Sequence, residues 1–146
     1  MHVDDPYQIT WLVRRLFRAL AGMADEYLGE LGITAADRAV LEFLSLGEPL
    51  PVPEIAARYD VSRQHVQVTV NRLLDKGLVT VKPNPSHKRS PLIAISTDGR
   101  HLFSRIRRRE KKLVDDLFRD IPASSQQATR RTLQKLYARL NEGEIV

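Results

Sequence analysis

Apolar residues near the start of the chain recur in steps of three and four: Ile9, Leu12, Leu16, Leu20, Met23 and Tyr27. That period belongs to an amphipathic helix. Asp5 is expected as its N-cap with Pro6 at the first helical position, and Gly29 and Gly32 mark its end. Trp11, Val13 and Phe17 widen the stripe, so this helix must pack against more than one neighbour. Thr34 and Asp37 then form a capping pattern ahead of Val40, Leu41, Leu44 and Leu46, with Gly47 as the stop. Three prolines between positions 49 and 53 read as a turn, followed by a short helix to Tyr59. Asp60-Val61 is a tight connection. Ser62 caps the next helix, which carries Val66, Val70, Leu73 and Leu74 on one face and ends at Gly77.

Beyond Gly77 the pattern changes. Residues 78–82 and 91–95 are rich in β-branched side chains and flank the polar stretch 83–90, which predicts a β-hairpin with a basic tip. Pro91 places its strand end at a sheet edge. Ser96 or Thr97 caps a long helix with Leu102, Phe103, Ile106, Leu113, Val114, Leu117 and Phe118, broken at 120–122. A last helix carries Leu133, Leu136, Tyr137 and Leu140.

The order predicts a mainly α fold with a small β-hairpin. A winged helix-turn-helix would occupy 34–97, flanked by dimerisation helices at 5–31 and 98–141, within a single domain spanning 1–146. The middle section cannot cover the apolar faces of the outer helices. A first helix of about 23 residues is roughly 34 Å long. Packing outer helices against a second copy across a two-fold axis would bury them, so a homodimer is expected.

Composition narrows the function classes. At 42% hydrophobic and 28% charged residues the chain is ordinary for a globular protein. No apolar run approaches the roughly 18 residues of a membrane span, and the N-terminus lacks the pattern of a signal peptide. A cytoplasmic location is therefore expected. There is no cysteine, which excludes disulfides, thiolate metal sites and thiol switches. No phosphate loop, Gly-x-Ser-x-Gly or His-Glu-x-x-His occurs, so an enzyme is not expected. The four histidines have no metal-ligand spacing, and neither metal nor cofactor is expected.

Charge is more informative by position than by total. Residues 62–89 hold six Lys or Arg and one acid, Asp75, so this segment carries the whole net charge of +5. Such a local field suits a polyanion. It coincides with a helix, a tight turn and a second helix, the arrangement that places one helix in a major groove. Ser62 and the helix start suit a phosphate. Arg63 can pair with guanine, Gln64, Gln67 and Asn71 with adenine, and Val68 can touch a thymine methyl. His65 and Arg72 lie on the same helix. His87, Lys88 and Arg89 stand on the hairpin tip, within reach of a neighbouring minor groove.

The run SRQHVQVTVNRLLDKGLV (62–79) resembles the recognition helix of the MarR family of winged helix-turn-helix transcription regulators. The run KPNPSHKRSPLIAISTDG (82–99) resembles that family's wing, usually Asp-Pro-x-Asp-Arg-Arg. The helix order matches as well. The resemblance implies a homodimeric, sequence-specific regulator of double-stranded DNA, acting as a ligand-responsive repressor on a pseudo-palindromic operator. It also implies an effector site between dimer helices and DNA-binding lobe, for which Tyr7, Trp11 and Phe17 are the aromatic candidates for an aromatic or phenolic molecule. Three wing positions depart: Asn84 for the first Asp, His87 for the second, Lys88 for the first Arg. His87 cannot hold the wing arginine as an anion would. Either the wing is looser, or His87 itself contacts phosphate. The alternative to this reading is a winged-helix module for protein interaction or DNA architecture, without an effector. The basic run Arg105–Lys112 reads as the wet face of its helix.

Overall fold

A computed structural model describes residues 3–142. Residues 1–2 and 143–146 of the expected domain lie outside the described residues. The elements are α1 (Asp5–Glu30), α2 (Ala35–Leu46), β1 (Leu50–Pro51), α3 (Val52–Tyr59), α4 (Arg63–Asp75), β2 (Val79–Lys82), β3 (Leu92–Ile95), α5 (Thr97–Leu117) and α6 (Ala123–Asn141). The chain divides into two compact units, one through Arg107 and one from Arg108, with the division inside α5.

In the first unit, Leu28, Val40, Leu41, Ile55, Val66, Val70, Leu73 and Ile106 form a fully buried core. The helix starts follow their sequence signals. Thr34 Oγ1 accepts from the Asp37 N–H at 3.2 Å, and Asp37 Oδ2 accepts from the Thr34 N–H at 3.0 Å, closing a capping box. At the end of α4, Gly77 takes φ +72°, and the Leu78 N–H returns to the Leu73 carbonyl at 2.9 Å. That left-handed residue ends α4 and turns the chain into β2. Ser96 then ties α5 to this corner. Its hydroxyl donates to the Gly77 carbonyl at 2.7 Å and accepts from the Gly99 N–H at 3.0 Å. Gly99 lies so close that a Cβ there would fall 2.1 Å from the Leu78 carbonyl oxygen.

Three expectations are corrected. Asp4, not Asp5, is the N-cap of α1. Its Oδ1 accepts from the Tyr7 N–H at 3.1 Å, which puts Asp5 in the first turn and Pro6 second. The proline-rich stretch is not all turn, because Leu50 and Pro51 pair antiparallel with Ile93 and Leu92. The sheet therefore has three strands in the order β1-β3-β2, and β3, behind Pro91, is central rather than an edge. Proline is compatible with this arrangement because Pro51 sits on the edge strand and Pro91 precedes β3.

The second unit holds the end of α5, a turn over 118–122 and α6. Arg119 donates to Asp116 at 2.6 Å, Lys111 to Asp115 at 2.6 Å, and the Gln126 amide to the Ile121 carbonyl at 2.9 Å. No residue of α6 is buried, and Leu133, Tyr137 and Leu140 are exposed.

Candidate nucleic-acid interface

The turn between α3 and α4 is built by Asp60, in the left-handed region at φ 59°, with the Val61 N–H returning to the Ala56 carbonyl at 3.1 Å. An Asp tolerates this conformation better than most side chains. Ser62 follows in extended backbone, and its Oγ accepts from the His65 N–H at 3.0 Å, which starts α4. Val66, Thr69, Val70 and Leu73 face the core. Gln64, Gln67, Val68 and Asn71 occupy the opposite face, within roughly 100° of arc at helical spacing. All four are exposed, Val68 by 48%.

α1, α2, α3 and α5 each carry an acid in the first turn: Asp5, Asp37, Glu54 and Asp98. α4 and α6 carry none, and of these two α4 opens on a cation, Arg63, where α6 opens on Ala123. A cation at the positive end of a helix dipole is unfavourable by about 0.3–1 kcal/mol. An anion at the same place reverses that sign.

Arg63 is joined there by the wing. A groove of about 430 Å³ is lined by Arg63, Gln64 and Gln67 from α4 and by Arg89 and Ser90 from the wing, over Val81 and Ile93. A second cleft of about 490 Å³ brings Arg63 and Arg89 together with His87 and Asn84. Glu54 lies on its rim and pairs with Arg58 at 2.6 Å. Two arginines from elements 26 positions apart thus share one concave surface.

The wing tip has an anchor that the usual wing motif does not foretell. Asn84 Nδ2 donates to the Ser90 carbonyl at 2.9 Å, and Asn84 Oδ1 accepts from the Ser86 N–H at 3.1 Å. The His87 and Ser90 N–H groups close two successive turns. Asn84 therefore ties the tip by its amide, while the guanidinium of Arg89 is left exposed toward the groove. Lys88 is exposed on the tip and lines neither concavity.

Arg72 is placed differently from the other candidates. Its guanidinium reaches back to α2 and donates from Nε and Nη2 to Asp37 Oδ1, at 3.3 and 3.1 Å. No local pattern marks this pair, which spans 35 positions. The aromatic candidates for an effector site, Tyr7, Trp11 and Phe17, are all exposed on α1, with the Arg15 guanidinium 4.5 Å above the Trp11 ring.

The sequence profile of the MarR family matches residues 31–90, which span α2, the helix-turn-helix and the wing tip. An uncharacterized protein of Mycobacterium tuberculosis is 30% identical over 138 residues, covering 94% of this chain and 91% of its own. The chain belongs to the MarR family. Solved MarR structures share the fold over nearly its full length. A MarR family transcription regulator superposes with a TM-score of 0.87 at 24% identity, covering 95% of this chain and 94% of its own. CouR from Rhodococcus jostii RHA1, bound to p-coumaroyl-CoA, gives 0.72 at 26% identity over 91% and 92%. This MarR protein is thus a DNA-binding regulator by family. No helix among the described residues is long and apolar enough to cross a membrane.

Proposed function

We propose that this MarR protein is a homodimeric, sequence-specific regulator of double-stranded DNA. α4 enters the major groove, and the wing reaches the flanking minor groove or its phosphates. The observation that carries the reading is Arg63 in the acid-free first turn of α4, sharing a groove with Arg89 of the wing. Both cations and the helix end converge where a phosphate backbone would supply the missing negative charge. Gln64, Gln67 and Val68 offer donors, acceptors and an apolar contact that suit base edges, with Asn71 beside them on the same face, whereas Arg63, Ser62, His65, His87, Lys88 and Arg89 suit phosphates.

Exposed apolar residues support the dimer. Leu12, Leu16, Phe17 and Leu20 on α1, and Leu133, Tyr137 and Leu140 on α6, stand open in the single chain. Burial against a second copy would place two α4 helices in successive major grooves, with half-sites about 10–10.5 base pairs apart. The helices over 5–31 and 98–141 are the dimerisation arms of this reading. In the cytoplasm such a dimer represses by covering a promoter. CouR's bound p-coumaroyl-CoA supports a small-molecule effector here as well, held near Tyr7, Trp11 and Phe17. An effector would act by preferring one spacing of the two α4 helices.

Selection of bound duplexes from a random pool, at stated salt, tests this. Enrichment of a two-fold symmetric motif is the expected result. Retention without any motif would favour an architectural binder, and no retention at low salt would favour a protein-interaction module.

A further inference from the structure

We propose that Asn71 is a positioning residue that holds the Gln67 amide in the orientation that reads adenine. The inference rests on the reading that α4 occupies a major groove. Gln67 and Asn71 are one helical turn apart, both exposed, and Gln67 Nε2 donates to Asn71 Oδ1 at 2.9 Å. Gln and Asn at this spacing meet on a helix surface. The two side chains nevertheless have different stations. Gln67 lines the groove it shares with Arg63 and Arg89, and Asn71 does not. Asn71 is also eight residues past Arg63, about 12 Å further along the axis. Base contacts come mainly from the N-terminal part of a recognition helix.

The consequence is chemical. A glutamine amide has two N–H groups and one carbonyl oxygen. Its terminal torsion is broad and roughly two-fold, so an untethered amide presents either edge. Asn71 takes one N–H. With the N–H that points away from Oε1 engaged, the one on the Oε1 side stays open, a donor next to an acceptor. In the major groove adenine alone presents an acceptor, N7, beside a donor, N6. Guanine shows two acceptors, cytosine a donor, and thymine an acceptor with a methyl. Val68, on the same exposed face, suits the methyl of a thymine in or beside that pair. The bond from Nε2 biases the edge before binding, and less side-chain freedom is lost on docking.

The test uses the full chain and four forms: wild type, Gln67→Ala, Asn71→Leu and Asn71→Asp. Each is put through random-duplex selection and then titrated on the winning site and on its single-base variants. Wild type should prefer adenine at one position of each half-site, and Gln67→Ala should flatten that position. Asn71→Leu should lower the same adenine preference about tenfold and alter no other position. Asn71→Asp keeps an oxygen for Gln67 Nε2. It should retain the adenine preference while weakening all sequences alike, because it adds negative charge near the backbone. Asn71→Leu changing a different base would make Asn71 a reader in its own right and overturn the proposal. An equal loss on every sequence with adenine retained would make it a phosphate contact, and an unchanged profile would remove its role. A wild-type motif with no adenine sensitive to Gln67→Ala overturns it too. Wild type that enriches no motif at all overturns the DNA reading beneath it.

Discussion

Arg72 of α4 places two N–H groups on one carboxylate oxygen of Asp37, a residue of α2 whose side chain is 0% exposed. The other oxygen of Asp37 holds the first backbone N–H of its own capping box. One carboxylate therefore joins the start of α2 to the far half of α4. Removing the arginine leaves a buried charge with only the cap for company. Losing one partner of a fully buried pair costs about 3–5 kcal/mol. Water reaches the guanidinium here, since Arg72 is 41% exposed. Arg72→Met should then cost about 1–3 kcal/mol in urea unfolding, with DNA affinity nearly unchanged at a temperature where the variant is folded. Full stability with weakened DNA binding would instead return Arg72 to the DNA face, where the sequence placed it.

Gly99 offers a test in which propensity and packing disagree in sign. In a helix, Gly→Ala usually gains about 0.5–1 kcal/mol. Here the new methyl would meet the Leu78 carbonyl oxygen at 2.1 Å and Ile95 Cγ1 at 2.8 Å. The chain entering β2 would have to shift, which costs about 1–3 kcal/mol. Gly99→Ala should lower the melting temperature by several degrees in calorimetry. A rise would mean that α5 does not press on this corner.

The wing should lose order before it loses fold. Asn84→Ala removes the bond to the Ser90 carbonyl and the one from the Ser86 N–H. Amide exchange over 84–90 should accelerate, the melting temperature should barely move, and DNA affinity should fall a few-fold, by about 1 kcal/mol. Arg89→Ala should reduce the slope of log affinity against log salt by about 0.9 for each phosphate that the arginine neutralises. An unchanged slope would mean that Arg89 touches no phosphate.

Leu16, 58% exposed on α1, probes the self-association of the chain. Burying a leucine is worth about 1.5–3 kcal/mol, and a dimer buries two. Leu16→Glu should weaken dimerisation roughly a hundredfold or more in sedimentation, and operator binding with it. A dimer of undiminished stability would place the interface elsewhere.

The sequence was most legible where one physical cause acts locally. The helices followed from three-and-four spacing with Thr34, Ser62 and Ser96 at their starts, because a cap needs only the next three residues. The resemblance at 62–79 and 82–99 singled out Arg63 and Arg89, and the concave surface they share came only with the fold. What stayed hidden depends on distance in the chain or on choices between equal neighbours. Asp4 and Asp5 are both carboxylates ahead of Pro6, and composition does not choose between them. β1 is two residues long, too short to show an alternating pattern, and its proline argued for a turn. Arg72 sits among base-reading residues by sequence, and only folding brings Asp37 to it. Asn84 departs from the usual wing residue, yet its amide ties the tip at two points.

The three-stranded sheet has two free edges, β1 and β2. An open edge is a template on which another chain can add a strand. On one side that template is two residues long and includes Pro51, which has no N–H to give. On the other, Thr80 and Lys82 are exposed beside Val81, and a lysine discourages a stacked neighbour. Both edges of the sheet are thereby poor templates for the wings of other copies.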